Sequence, residues 1–266
     1  MIPRPDRVAD GRPPRVIGVL GGMGPLATAD FYVKLTRLCP AKRDQDHPRV
    51  IIDSNAAIPD RTEAVLGRGP DPRPALAETA GNLERAGAEL IAIPCNSAHA
   101  FLGAIREAVS VPVLDIMAEV ARAAAALAPP PTTVGVLATD GTLKMRLYQA
   151  ALAARSIGAA EPTRDEQAAL MDAIHEVKAG VLGPGVRAAV RGIAEGLVRR
   201  GAGALVLGCT ELPLVLGPRD APVAVLDGTE ILARAALREA FAREFSVPSG
   251  RSANDTGERI DPVRRS

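Results

Sequence analysis

The feature that most constrains the fold of this chain is an internal repeat. Residues 17–20 (IGVL) and 134–137 (VGVL) are similar apolar runs, and a glycine-containing turn follows each of them. Further along, residues 85–96 (RAGAELIAIPCN) align with residues 199–210 (RRGAGALVLGCT) at an offset of 114 positions. The second half of the chain therefore resembles the first in two separate segments.

Two more pairs keep the same order and nearly the same spacing. Tyr32 and Tyr148 follow the first pair of apolar runs and are 116 positions apart. Residues 113–115 and 225–227 both read VLD and are 112 positions apart. One such match could arise by chance, but four in register indicate the duplication of one α/β unit.

Within each copy, short apolar runs alternate with helical segments, which is typical of a parallel sheet covered on both faces. We therefore predict an α/β protein of two similar domains, each with a mainly parallel sheet flanked by helices. The domains would be related by a pseudo-two-fold axis, with the active site in the crevice between them. The predicted divisions are a flexible N-terminal arm over residues 1–14, a first α/β domain over 15–116 plus about 224–245, a second α/β domain over 117–223, and a disordered tail over 246–266.

Three local predictions concern the first copy. A helix begins at Pro25, because proline is favoured at the first helical position, and this helix carries Phe31, Tyr32 and Leu35 inward. Residues 111–115 form a fourth strand. Residues 54–74 contain several prolines and glycines and form a long loop, and loops of that length are usually functional.

Composition excludes several classes of partner. The net charge of the 266 residues is +1 and aromatic residues make up 2% with no Trp, so neither a nucleic-acid surface nor an anionic-membrane surface is expected. No apolar run approaches the roughly 18 residues of a membrane span, and residues 1–15 lack the apolar segment of a secretory signal. The three cysteines show no disulfide-scaffold pattern, so we expect a reduced, cytoplasmic protein.

Cys95 ends a short apolar run, and small polar residues follow it. Asn96 or Ser97 could cap a helix that starts there. The thiol would then lie beside unpaired backbone N–H groups and the positive end of a helix dipole, which are conditions that lower the pKa of a cysteine. A single cysteine of this kind is nevertheless more often a buried structural residue.

The repeat changes this interpretation, because Cys209 occupies the equivalent strand end. Ligands of such folds bind outside the carboxyl ends of the strands, so the two thiols would approach a ligand from opposite sides. Inverting a carbon that bears one hydrogen requires a base on one face and an acid on the other. A thiol with a pKa not far above neutral can serve as either. The pair therefore predicts racemisation or epimerisation of a small molecule bearing a carboxylate, with no metal or organic cofactor.

The sequence resembles the aspartate/glutamate racemases over about residues 15–240, and its glycine-rich turn is most similar to the aspartate racemase branch. The motifs that carry the resemblance are IGVLGGMGPLATADFY at 17–32, IPDRT at 58–62, IPCNSAH at 93–99, LATDGT at 137–142, VKAG at 177–180 and LGCTELP at 207–213.

The resemblance implies a cofactor-independent racemase that acts on L- and D-aspartate, with glutamate as a further candidate substrate, and that forms a homodimer. By this resemblance Cys95 and Cys209 are the acid/base pair. The residues implied in substrate binding are Asn96, Ser97 and Thr210 at the α-carboxylate or ammonium, Arg61 and Lys178 at the side-chain carboxylate, and Met23 and Gly24 in the glycine-rich turn. Ser97 departs from the usual Thr but keeps the hydroxyl.

The main rival is a dinucleotide-binding oxidoreductase. Residues 22–27 fit G-x-G-x-x-A after a strand, and Asp53 ends the next strand. Against it, Pro25 removes a backbone donor where a phosphate would be held, and hydride transfer gives the paired cysteines no role. A pyridoxal phosphate racemase needs a Schiff-base lysine, and no lysine of the chain lies in a recognisable cofactor motif.

Two further alternatives remain open. One is another reaction of the same superfamily on a small diacid, such as decarboxylation or cis–trans isomerisation, for which one thiol can suffice. The other is a metabolite-binding module with inert thiols. Among the remaining candidates, His99 is expected to be a capping or core residue rather than a metal ligand. Cys39 is expected to be structural. The sequence assigns no role to Asp140 or Glu211.

Overall fold

The computed structural model of the protein describes residues 13–242 and contains two parallel β-sheets. The first sheet has the strand order β2-β1-β3, and the second has the order β5-β4-β6-β7. The strands are β1 (Ile17–Gly21), β2 (Val50–Ser54), β3 (Leu90–Ala92), β4 (Thr133–Ala138), β5 (Gly158–Ala160), β6 (Ala204–Gly208) and β7 (Ala224–Asp227). The predicted fold class, two parallel sheets flanked by helices, is confirmed.

Ten α-helices connect and cover the strands within the described residues. They are α1 (Pro25–Leu38), α2 (Arg61–Val65), α3 (Arg73–Arg85), α4 (Leu102–Glu107), α5 (Ile116–Ala125), α6 (Asp140–Lys144), α7 (Leu147–Ala153), α8 (Arg164–Lys178), α9 (Pro184–Arg199) and α10 (Gly228–Phe241). Short 3₁₀ helices span Asp44–Asp46, Ser97–Phe101 and Leu212–Leu214. None of the described helices is both long enough and apolar enough to cross a membrane.

The inner strands are β1 in the first sheet and β4 and β6 in the second. β1 and β6 are buried along their whole length, and β4 is buried after its first residue. Strands covered by helices on both faces have no solvent side, which explains why each reads as a continuous apolar run rather than an alternating one. α1 begins at Pro25 as predicted, and Phe31 and Leu35 on its inner face are buried. Tyr32, which was expected inward, is instead 45% exposed.

The same helix cap recurs in the two copies. Asp115 accepts hydrogen bonds from the backbone N–H groups at the start of α5, and Asp227 does the same at the start of α10. A side-chain oxygen that satisfies these first N–H groups fixes where the helix begins. The VLD segments of the repeat therefore encode a strand end and a helix cap.

The copies differ in the strand before that cap. Residues 224–227 form β7, which pairs in parallel with β6, whereas Val113 makes only one isolated bridge, to Ile91. The prediction of a full strand over residues 111–115 was wrong. Pro112 has no N–H to donate, which limits the ladder at this point.

The segment over about 224–245, which the sequence assigns to the first domain, contacts both copies of the repeat. It begins with β7, and β7 belongs to the second sheet. α10 packs against α1 and β3 of the first copy, and also against α5, β6 and β7. The long loop predicted over residues 54–74 contains a short helix, α2, whose start is capped by Asp60.

A shared apolar core joins the two sheets. It contains Phe31 from the first copy, Tyr148 and Val136 from the second, and Leu237 from α10. Two smaller clusters lie on the outer sides of the sheets. Because the copies share one core, the loops that follow their strands are held in a fixed relation. The predicted disordered tail and most of the predicted arm lie outside the described residues.

Candidate active site

Cys95 lies just beyond the end of β3, in a buried turn that leads into the 3₁₀ helix Ser97–Phe101. Its Sγ is 3.6 Å from Ser97 Oγ. Neither Asn96 nor Ser97 serves as the predicted helix cap: Asn96 stands at the cap position but makes no capping hydrogen bond there. The Asn96 side chain points to the second copy of the repeat instead.

His99 holds the Cys95 turn in place. Its Nδ1–H donates to the backbone oxygen of Cys95 at 2.9 Å, and its Nε2 accepts from the backbone N–H of Ile116 at 3.2 Å. These two contacts require the neutral ring. Burial lowers the pKa of His99, which also favours the neutral form. His99 is thus a core histidine that positions the Cys95 turn. The sequence had favoured a capping or core position over a metal site.

Cys209 follows β6 directly and is also buried. Its Sγ donates a hydrogen bond of 2.9 Å to Glu211 Oε2. Burial raises the pKa of the Cys209 thiol well above its usual value, the Glu211 carboxylate raises it further, and Lys178 opposes this rise. At this strand end, desolvation and a neighbouring carboxylate outweigh the local dipoles that would lower the pKa of a cysteine.

Tyr148 connects the two cysteine turns. Its hydroxyl donates to Asn96 Oδ1 at 2.5 Å, and a Cβ on Gly208 would lie only 2.8 Å from its ring. The fully buried ring therefore lies against the residue before Cys209 while its hydroxyl holds the residue after Cys95. With Oδ1 occupied, the buried Nδ2 of Asn96 has no hydrogen-bond partner within residues 13–242.

Lys178, the last residue of α8, stands close enough to both thiols for their charges to affect it. Burial alone would lower the pKa of Lys178, but its interactions with Cys209, Glu211 and Cys95 in their ionised forms outweigh that effect and raise it. Its Nζ is 4.0 Å from Asp60 Oδ2. A lysine that responds to both thiols indicates that the two cysteine turns face one polar region.

Arg61 begins α2 and is buried. Its guanidinium donates to the backbone oxygens of Ile58 and Pro59, and more weakly to that of Met23 at 3.5 Å. Its Nε is buried and has no partner among the described residues. Two of these hydrogen bonds brace the IPDRT segment itself, and the long one reaches the glycine-rich turn; the sequence did not indicate these contacts.

A cleft of about 360 Å³ opens between the two copies of the repeat. The predicted residues Met23, Gly24, Arg61 and Lys178 all line it. Two carboxylates that were not predicted as binding residues, Asp60 and Glu211, line it as well. The remaining predicted residues lie on the adjacent cysteine turns, where the structure places Cys95, Asn96, Ser97, Cys209 and Thr210.

The glycine-rich turn does not have the environment of a dinucleotide site. The backbone N–H of Gly24 donates to Glu211 Oε1 at 3.2 Å. In a dinucleotide-binding fold the equivalent turn approaches a pyrophosphate, and a carboxylate at that point would repel it. The oxidoreductase alternative therefore has no support in this geometry.

Two parallel sheets, a cleft between them and a buried cysteine after one strand of each sheet place the chain among the amino-acid racemases. The family model described as Asp/Glu/Hydantoin racemase matches residues 20–236. The chain belongs to this family.

Individual relatives agree with this assignment. The broad specificity amino-acid racemase RacX of Bacillus subtilis (strain 168) is 26% identical over 229 residues, which are 84% of this chain and 96% of RacX. The solved structure of Picrophilus torridus aspartate racemase matches with a TM-score of 0.76 and 30% identity, covering 86% of this chain and 95% of that one. Francisella tularensis glutamate racemase, solved with D-glutamate, shares the fold at a TM-score of 0.63 and 21% identity, covering 83% of this chain and 79% of that one.

Proposed function

We propose that this racemase interconverts L- and D-aspartate, with glutamate as a secondary substrate, by a two-base mechanism that uses Cys95 and Cys209 and no cofactor. The observation that carries the proposal is the pair of cysteines at equivalent strand ends, with one lysine, Lys178, affected by the charge of both. Lys178 lines the cleft between the two copies, and the Tyr148–Asn96 hydrogen bond joins the two cysteine turns, which supports placing the substrate carbon between the thiols.

In this mechanism, one cysteine acts as thiolate and removes the α-proton from one face of the substrate. The other cysteine, as a thiol, donates a proton to the opposite face. The α-carbon keeps its bonds to the amino group, the carboxylate and the side chain, and the two sulfurs exchange protonation states. The reverse reaction uses the same groups with exchanged roles.

The α-carboxylate and ammonium are assigned to the cysteine turns, where Ser97 and Thr210 provide hydroxyls. The buried and unpartnered Nδ2 of Asn96 supports this assignment, because an amide donor without a partner is costly to bury unless a ligand uses it. Tyr148 fixes the orientation of that amide through Oδ1.

The side-chain carboxylate is assigned to Lys178 and Arg61, assisted by the glycine-rich turn at Met23 and Gly24. Within the described structure, the Arg61 guanidinium keeps two donors for a ligand, the unpartnered Nε–H and one N–H of Nη2. Asp60 and Glu211 offset the two cations, so the cleft has little net charge. This balance favours a substrate that carries both an ammonium and carboxylates over a simple diacid.

We further propose a cytoplasmic homodimer. Cys39, Cys95 and Cys209 are free thiols, and acid/base catalysis by thiols requires a reducing compartment. Tyr32 and Val33 of α1 and Ile52 of the edge strand β2 are exposed apolar residues, as expected of a surface that a second copy covers. Light scattering coupled to gel filtration measures the mass of the particle directly.

One observation favours a second candidate, a decarboxylase that acts on a small diacid. Cys209 is hydrogen-bonded as a proton donor, and one donor thiol suffices for protonation after loss of CO₂.

One assay distinguishes the two candidates. A panel of chiral amino acids, together with malonate- and maleate-type acids, is incubated with the enzyme in deuterated water. The proposal expects D-aspartate labelled with α-deuterium from L-aspartate. Decarboxylation of the malonate-type acids, without racemisation of any amino acid, would support the second candidate.

A further inference from the structure

Glu211 makes the surroundings of the two catalytic thiols unequal. It is 3% exposed, and each of its carboxylate oxygens is engaged. Oε2 accepts from Cys209 Sγ at 2.9 Å and from Thr210 Oγ1 at 3.4 Å, and Oε1 accepts from the backbone N–H of Gly24 at 3.2 Å. The side chain therefore lies between the thiol of one copy of the repeat and the glycine-rich turn of the other.

The repeat itself provides the comparison. At the offset of 114 that aligns Cys209 with Cys95, Glu211 aligns with Ser97. Both residues contact the thiol two positions before them, but Ser97 offers a neutral hydroxyl at 3.6 Å and Glu211 offers a carboxylate at 2.9 Å. One cysteine of the pair thus has an ionised acceptor for its proton, and the other does not.

We propose that Glu211 holds the proton on Cys209 in the substrate-free enzyme, so that the resting enzyme has Cys209 as its acid and Cys95 as its base. A thiolate at Cys209 would stand beside a carboxylate in a buried site, and two like charges in contact there are strongly unfavourable. The thiol instead donates a charge-assisted hydrogen bond. The catalytic meaning of this asymmetry rests on the proposed two-base mechanism.

The proton balance follows from this arrangement. In the favoured direction, the Cys95 thiolate takes the α-proton and becomes a thiol, while the Cys209 thiol gives its proton to the other face and becomes a thiolate. The product form of the enzyme then has adjacent negative charges at Cys209 and Glu211. It returns to the resting form when Cys209 takes a proton from solvent and Cys95 loses one.

Within residues 13–242, the other charged and titratable groups that act on Cys209 come from α7, α8 and the cleft wall. Lys178 at the end of α8 favours the thiolate and so opposes Glu211. The Tyr148 hydroxyl is affected by Cys209 and is committed to Asn96, and burial raises its pKa, so it stays neutral. Asp60 and Arg61 lie elsewhere on the cleft wall. Glu211 is the carboxylate that contacts the sulfur directly.

The test measures the pH dependence of alkylation at each cysteine by iodoacetamide, read by mass spectrometry of the Cys95 and Cys209 peptides. Iodoacetamide is neutral, so the carboxylate does not repel it. Since the thiolate is the reactive form, the midpoint of each rate profile reports the thiol pKa, and the plateau at high pH reports access. Normalising to the plateau separates the two effects.

Glu211→Gln keeps the size of the side chain and removes its charge. We expect the Cys209 midpoint to fall by about one pH unit or more, which raises its normalised alkylation rate about tenfold below the midpoint. Asp60→Asn removes a carboxylate from the same cleft without touching the sulfur, and Ser97→Ala changes the equivalent contact at Cys95. Both controls should leave the Cys209 midpoint where it is. If Glu211→Gln does not fold, Glu211→Asp, which withdraws the carboxylate from the sulfur, should produce a smaller fall.

An unchanged Cys209 midpoint in Glu211→Gln, or an equal shift in Asp60→Asn, would overturn the proposal. Racemisation by the wild-type enzyme is measured separately. Normal racemisation with an unshifted midpoint refutes only the role of Glu211. A shifted midpoint in an enzyme that racemises nothing refutes the proposed function and leaves the proton-holding contact in place.

Discussion

The hydroxyl of Tyr148 and the amide oxygen of Asn96 form a hydrogen bond of 2.5 Å that joins the two halves of the duplicated chain. It connects the turns that carry Cys95 and Cys209, and the Asn96 Nδ2 has no hydrogen-bond partner among the described residues. The bond therefore relates the packing of the shared core to the geometry of the site. Neither residue can change its partner without disturbing both turns.

Tyr148→Phe should weaken substrate binding more than it slows the chemical step. Loss of the hydroxyl leaves Asn96 Oδ1 without its donor and lets the amide rotate, at a cost of about 1–3 kcal/mol. We expect kcat/KM for aspartate to fall roughly tenfold or more, mainly through KM. Tyr32→Phe is the matched control, because Tyr32 occupies the equivalent place in the repeat but is exposed. A loss confined to kcat would argue against a role in orienting Asn96.

Lys178→Met should reduce the turnover of acidic amino acids more than the turnover of neutral ones. A charge-assisted hydrogen bond contributes about 1.5–3 kcal/mol, so its loss should reduce kcat/KM for aspartate by roughly 10- to 150-fold. Turnover of a neutral amino acid such as alanine, if the enzyme shows it, should change much less. Lys42→Met removes an exposed lysine and is the control. Equal losses on both classes of substrate would mean that Lys178 does not select for the side-chain carboxylate.

The contact between α2 and α6 should be sensitive to one added carbon. A Cβ on Gly141 would lie 2.9 Å from the Thr62 Cα, whereas a Cβ on Gly192 in α9 meets nothing within 4 Å in the described structure. Gly141→Ala should lower the free energy of unfolding by about 1–3 kcal/mol, because backbone would have to shift. Gly192→Ala should raise it by up to about 1 kcal/mol, since alanine is the better helix former. Chemical denaturation of both variants measures the difference, and equal effects would count against tight packing at Gly141.

The buried ring of His99 should make stability depend on pH. Because burial lowers its pKa in the folded state, the unfolded chain binds more protons in the interval below the unfolded value of about 6.5. The free energy of unfolding should therefore fall as pH decreases through that value. His99→Leu should be less stable than wild type at pH 7, by about 1–3 kcal/mol, and the gap should narrow towards pH 5.

His175→Gln is the control for this pH dependence, because His175 is exposed on α8. Urea denaturation at several pH values provides the free energies. If the difference in unfolding free energy from wild type narrows equally towards pH 5 in both variants, the effect does not come from the buried ring of His99.

Much of the fold follows from the repeat. The apolar runs at residues 17–20 and 134–137 predicted β1 and β4, and the aligned cysteine segments predicted β3 and β6. The structure of the two VLD segments was harder to predict. Asp115 and Asp227 cap helices in the same way, but of the two segments the second alone forms a strand. A repeat predicts equivalent positions, and local chemistry such as Pro112 decides how far the equivalence holds.

For the site, too, the sequence predicts positions better than it predicts the interactions of the residues there. Sequence similarity indicated four residues that line the cleft, but neither the lining carboxylates Asp60 and Glu211 as binding residues nor the contacts that set their chemistry. Tyr32 and Tyr148 are equivalent in the repeat, yet one is exposed and the other fills the core, because the helices that carry them face different neighbours. The hydrogen bonds from Arg61 to backbone carbonyls and from Cys209 to Glu211 depend on how loops pack, and no local pattern encodes them.

The two-base mechanism is the central claim, and α-proton exchange in the single cysteine variants tests it most directly. L- and D-aspartate are incubated separately in deuterated water with wild type, Cys95→Ser, Cys209→Ser and the control Cys39→Ser, and deuterium and configuration are read by NMR and chiral chromatography. Wild type and Cys39→Ser should racemise both enantiomers with α-deuterium in the product. Each catalytic variant should lose racemisation by at least about 100-fold.

Each of these two variants should retain exchange of one enantiomer only, without inversion, and the retained enantiomer should be opposite in the two variants. Full racemisation by either Cys95→Ser or Cys209→Ser, or exchange of the same enantiomer in both, would contradict the mechanism.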